Sequence, residues 1–137
     1  MVSETNNEGP IPSPEALYNN TMNESILYIL YSPYHKAVKV GISDISGKRF
    51  AAHRQRGWLL VAYWHFFEGD KARAIESLVL QTLKKKHKPF LHKEDMPQGG
   101  YTETFDASKI NKKGLIRMVN KAIRLVNDEY SHKANKD

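Results

Sequence analysis

Ile26–Tyr31, apolar and aromatic throughout, and Ala37–Ser43, in which Lys39 and Gly41 interrupt the apolar positions, are two strand-like runs rich in β-branched and aromatic residues. The polar break between them, Ser32-Pro33-Tyr34-His35-Lys36, predicts a hairpin. With a four-residue loop at Ser32–His35, Tyr31 faces Lys36 and Tyr28 faces Lys39. Leu27, Ile29, Val38 and Val40 then share the core face, and Tyr28, Lys39 and Gly41 share the other. Trp58–Phe67, apolar almost throughout, reads as the central buried strand. Helical signals lie between and after these strands. Asp44 and Ser46 offer caps for a short helix that Gly57 ends. Gly69-Asp70 opens a second helix to about Lys86, and Pro89 forbids its continuation. Tyr101–Phe105 predicts a short extended piece after Gly99-Gly100. A last helix over about Ser108–Asn127 carries Leu115, Ile116, Val119, Ala122, Ile123 and Val126 at helical spacing.

Composition changes this picture at the ends. Residues 1–24 are rich in Asn, Glu, Ser and Pro, which reads as a flexible acidic arm. An ordered domain over 25–106 follows, then a basic helix with a frayed tail over 107–137. The 137 residues suffice for one modest core. The absence of cysteine excludes disulfides and thiolate-bound zinc. No leader-like or membrane-length apolar run is present, so the expectation is a soluble cytoplasmic protein with no membrane partner. The first 25 residues hold four Glu and no Lys or Arg. With +6 overall, the remainder therefore carries +10. A small domain so basic points to a polyanion, phosphate backbones being the commonest.

Candidate chemistry centres on Glu76. On the second helix the apolar arc holds Ala72, Ile75, Leu78, Val79, Leu80 and Leu83, and Glu76 falls inside it. A buried carboxylate needs a cation, a metal or strong donors. The alternatives are a salt bridge to an arginine of a neighbouring helix and a divalent-metal ligand facing a cleft, and periodicity does not separate them. Arg49, His53 and Arg56 follow one helix face, either as a solvated stripe or with Arg49 as a bidentate phosphate clamp. Lys39 beside Tyr28 is either a surface charge or, with its pKa lowered by burial and like charge, a general base. Lys84, Lys85, Lys86 and Lys88, together with Lys113 and Arg117 on the last helix, are solvated charges or phosphate contacts. His65, His87 and His92 lack zinc spacing.

The order of these elements resembles the GIY-YIG nuclease superfamily over roughly Ile26 to Phe105. Ile26-Leu27-Tyr28 corresponds to the GIY element and Lys39-Val40-Gly41 to YIG. Arg49-Phe50-Ala51-Ala52-His53 matches the family's arginine helix, and Ala72-Arg73-Ala74-Ile75-Glu76 the segment bearing its metal-binding glutamate. Gly99–Phe105, GGYTETF, looks like the closing segment of the small phage and bacterial branch. The resemblance implies an α/β (α+β) fold with a small, three-stranded, mostly antiparallel sheet flanked by helices. It also implies a metal-dependent DNA endonuclease, with RNA left open as a partner. In it Glu76 would hold Mg2+ or Mn2+ and Arg49 would stabilise the phosphate. Tyr28 and Lys39 would activate water, and His53 would assist as an auxiliary donor or base. A homodimer is an expectation for a small enzyme that cuts both strands. Two departures stand out: Ile26 and Lys39 replace the first glycine of GIY and the tyrosine of YIG. Lysine at that position occurs in some restriction-type members. The asparagine that often follows the glutamate helix is also missing, and either His92 or Glu103 is a candidate to replace it. Gly41 reads as bare strand that lets a phosphate approach. The alternative to an enzyme is a non-catalytic nucleic-acid-binding module on a degenerate nuclease fold.

Overall fold

The computed structural model describes residues 2–3 and 24–134, with side chains from 24 to 129. Five strands form one sheet: β1 (Val2–Ser3), β2 (Ser25–Ser32), β3 (Ala37–Asp44), β4 (Leu59–Phe66) and β5 (Thr104–Asp106), in the order β1-β4-β2-β3-β5. The four strands β4-β2-β3-β5 are antiparallel, and β1 pairs parallel with Trp64 and His65 of β4. The α+β class stands, but the expected three-stranded sheet is too small. Thr104 pairs with Lys39 and Phe105 with Val38, which adds a strand beyond β3. The middle of the sheet is β2, and β4 lies beside it instead of at the centre. Leu59, Leu60 and Tyr63 of β4 are accordingly exposed. Of the acidic arm, residues 4–23 lie outside the described residues, while Val2-Ser3 is strand and the Glu24 carboxylate meets His65 Nε2 at 2.5 Å.

The hairpin register differs from the expected one by two residues. Ser32, expected in the loop, pairs with Ala37, so the loop is Pro33–Lys36 and Tyr28 stands opposite Gly41, with Lys39 opposite Leu30. Two local features set this register. The Ser32 hydroxyl accepts the His35 N–H at 3.0 Å, and Lys36 takes a left-handed φ of 53° to close the loop. A slip of two keeps every side chain on its expected face, so the Tyr28–Lys39–Gly41 face survives the error.

Helix α1 (Lys48–Arg54) begins later than the caps suggest, because Asp44 ends β3 and accepts from the Ser46 backbone and hydroxyl in a tight turn. Helix α2 spans Gly69–Lys84 and helix α3 Lys112–Ala134. The start of α3 moves from Ser108 to Lys112 because the Asp106 carboxylate holds Ser108 in a turn and Asn111 caps the Gly114 N–H at 2.6 Å. Ala72, Ile75, Val79 and Leu83 of α2 and Leu115, Val119, Ala122 and Val126 of α3 pack on Leu27, Ile29, Val38 and Val40. Trp64 Nε1 donates to Asn120 Oδ1 at 3.1 Å, so α3 is built into the core and is not a separate tail. Residues 135–137 of the expected frayed end lie outside the described residues. On the opposite face α1, Trp58 just before β4 and the 90–101 loop cover Tyr28, Leu30 and Ala37, with Phe50, Leu91, Met96 and Tyr101 in the contact. Among the described residues no helix is long and apolar enough to cross a membrane.

Candidate active site at the open edge of β3

Strand β5 covers β3 only along Ala37–Lys39. Beyond that point two cationic side chains meet β3 carbonyls: Lys39 Nζ approaches Val40 O at 3.4 Å, and Arg49 Nη1 approaches Ile42 O at 3.4 Å. Helices α1 and α2 come from opposite faces of the sheet and meet here. A cavity of about 570 Å³ is lined by three cations, Lys48 and Arg49 of α1 and Arg73 of α2, with one carboxylate, Asp44, beside Ile42 and Ser43 of β3 and Gln98 of the loop.

Glu76 lies on the flank of α2 nearest this edge and is half-buried. Burial raises its pKa above the ordinary carboxylate value, and Glu103 raises it further; Lys39, Arg49 and Arg73 oppose the rise. It also lines a second groove, of about 580 Å³, that runs along α2 to Lys84 and Lys85. The salt bridge expected as its alternative role is not what the described residues hold: the ion pair runs from Glu103 Oε1 to Lys39 Nζ, 3.6 Å apart.

Lys39 is 1% exposed. Burial pushes its ammonium below the usual lysine range, while Glu103 and Glu76 push back. Tyr28 crosses the strand toward the same charges, and burial drives its phenol well above the ordinary value. Its ring covers Gly41 so closely that a Cβ there would lie 2.7 Å from Cζ and Oη. The bare glycine thus seats the tyrosine; it does not open the strand to a phosphate. Gly100, at φ 91°, packs likewise on Lys39, where an added Cβ would lie 2.7 Å from Cε and 3.0 Å from Nζ.

His53 is buried between Tyr28 and Trp58, with ring centroids 6.4 and 6.3 Å away. Burial, reinforced by Lys39 and Arg49, lowers its pKa to about 4. Gln98 Nε2 lies 3.1 Å from His53 Nδ1. An amide N–H only donates, so Nδ1 accepts and the proton sits on Nε2. Gln98 Oε1 is buried without a hydrogen-bond partner among the described residues, and so are two donors, His53 Nε2 and Tyr28 Oη. Native folds rarely leave such groups unpaired, and a ligand oxygen is one way to satisfy the two donors.

The structure therefore gathers Tyr28, Lys39, Arg49, His53 and Glu76, and adds Glu103. His92 is exposed, its backbone N–H held by Asp95 at 2.9 Å. Arg56 is exposed beyond α1, and Lys84, Lys85, Lys86 and Lys88 are exposed at the end of α2. Lys113 and Arg117 are exposed on α3, so these charges spread over both faces of the sheet and do not form one strip. Sequence reasoning missed Gln98 and Arg73. Arg73 had a signal, since it stands one turn before Glu76 on the same helix flank; Gln98 had none.

The donor set fits a hard divalent cation. Glu76 and Glu103 would supply carboxylate oxygens, and a carboxylate raised by burial and by a like charge gains most from such an ion. Among the described residues no three His, Asp or Glu side chains are grouped to hold a metal, so an ion on this pair would keep several waters, as Mg2+ readily does. Comparison with protein-family models, curated proteins and solved structures finds no match to this chain.

Proposed function

We propose that this chain is a divalent-metal-dependent endonuclease that hydrolyses DNA phosphodiester bonds. The observation that carries the reading is Glu76 itself: a half-buried carboxylate beside Glu103, with Arg49, Lys39 and Arg73 acting on its charge. A module that only binds phosphates gains nothing from two carboxylates set against the cations that would bind them.

In this reading Glu76, with Glu103 alongside, holds Mg2+ or Mn2+, which supplies Lewis-acid polarisation of the scissile phosphate. Arg49 donates to the non-bridging oxygens, where negative charge builds in the transition state. Lys39, its ammonium destabilised by burial, takes a proton from the attacking water at Nζ once it has lost its own. Glu103 and Glu76 favour the ammonium so formed, which lowers the cost of that transfer. Tyr28 stays protonated and orients the water or a phosphate oxygen through its Oη–H. His53 is neutral at pH 7 and offers its Nε2–H as an auxiliary donor.

A plasmid-nicking assay with Mg2+ or Mn2+ tests this. Wild type should cut, and Glu76→Gln and Arg49→Ala should each lower the rate at least a hundredfold, the usual scale for one electrostatic or acid–base group. Salt-sensitive binding without cleavage by the wild type would move the chain to the class of non-catalytic nucleic-acid-binding modules.

A further inference from the structure

Helix α1 covers β2 and β3 but leaves the β4 side of that sheet face open. Leu60 and Tyr63 are 42% and 37% exposed there. They join Tyr28 and Phe50 around an apolar pocket of about 290 Å³. Tyr63 is paired directly with Tyr28 across the sheet, and the Phe50 ring lies 6.1 Å from the Tyr28 ring. The pocket therefore has Tyr63 as its exposed ring, Phe50 beside it and the buried Tyr28 beneath.

Its neighbour decides what it is for. Ser43 lines both this pocket and the basic cavity of Arg49, Lys48 and Arg73. Within α1, adjacent residues are divided between the two: Lys48 and Arg49 face the basic cavity, and Phe50 faces the aromatic one. A cationic cavity and an aromatic pocket one residue apart match the two ends of a nucleotide. A nucleotide carries an aromatic face and an anion on one small unit, which is what two sites sharing Ser43 require.

We propose that the aromatic pocket takes one unpaired nucleobase of the substrate while the basic cavity takes the phosphate attached to it. This rests on the nucleic-acid reading above and narrows it to strands with an unstacked base near the cut. A base inside an intact duplex cannot reach the pocket without being extruded, at a cost smallest for unpaired or mismatched positions. Stacking on aromatic side chains accepts any base, so the preference is for structure and not for sequence.

The test uses the full chain without divalent ions and two duplexes, one fully paired and one carrying a single unpaired 2-aminopurine. The bulged duplex should bind about tenfold more tightly, with a change in 2-aminopurine fluorescence on binding. Tyr63→Ser should abolish both differences and leave binding of the paired duplex unchanged. Leu60→Ser, at a second exposed position, should act in the same direction. Equal affinity for the two duplexes, or a Tyr63→Ser protein that behaves as wild type, overturns the pocket and leaves the nuclease reading standing. Failure to bind either duplex overturns both. A concentration-dependent dimer that Tyr63→Ser and Leu60→Ser dissolve assigns the pocket to a second copy and also overturns the proposal.

Discussion

Gly41→Ala is the sharpest test of how the site is packed, because its effect does not depend on any assumed activity. The added methyl would sit 2.7 Å from Tyr28 Cζ and Oη, and 2.8 Å from Cε1. Ordinary contact begins near 3.4 Å, so the ring must move about 0.7 Å. It has little room to do so. Tyr28 is 1% exposed, with Phe50 at 6.1 Å and His53 at 6.4 Å between ring centroids. Overpacking of this kind costs about 1–3 kcal/mol. At the per-residue unfolding entropy of ordinary domains, that lowers Tm by about 3–10 °C for a chain of this size. Thermal and urea denaturation read the loss directly. A double-mutant cycle isolates its cause: in a Tyr28→Leu background the same glycine substitution should cost almost nothing. Should Gly41→Ala be as stable as wild type, or equally costly in both backgrounds, the ring-over-glycine argument is wrong.

Other expectations follow from the charges. Lys39→Met should retain salt-sensitive DNA binding and lose at least a hundredfold in nicking rate; an unchanged rate removes the lysine as base. The wild-type nicking rate should rise with pH as the buried ammonium deprotonates, below the usual lysine range. Glu103→Gln, by deleting the nearest counter-charge, should shift that rise to lower pH, and an unmoved profile would contradict the Lys39–Glu103 coupling. His53 gives a stability test. Its folded pKa of about 4 lies below the ordinary 6.5, so between those values the unfolded chain binds a proton that the folded one refuses. Stability is full above pH 6.5 and should fall by about 2 kcal/mol as the pH drops toward 4, allowing for partial solvent screening. Urea midpoints at pH 7 and pH 4.5 for wild type and His53→Gln measure this, and equal acid losses in the two proteins would refute it.

Periodicity carried the face assignments but not the pairings. The sharing of one face by Tyr28, Lys39 and Gly41 follows from the two-residue repeat alone, and a register slip of two could not disturb it. Which residue stands opposite which depends on the loop, where the Ser32 hydroxyl and the left-handed Lys36 add a pair that composition does not reveal. Glu76 was visible as a misfit in an apolar arc. Its surroundings were not, because Glu103 and Lys39 come from distant segments and meet only through the β3–β5 pairing. The run from Trp58 to Phe67 misled for a related reason. Strong apolarity there marks a strand whose outer residues await cover, as the exposure of Leu59, Leu60 and Tyr63 makes plain.

The brevity of β5 has a further consequence. A strand edge with free carbonyls is a template on which another chain can add itself, and proteins commonly guard such edges with charge. Between Val40 and Asp44 the guards are Lys39 and Arg49, each resting on a carbonyl of β3. Arg49, assigned to the phosphate, and Lys39, assigned to the water, thus also occupy carbonyls that an added strand would need.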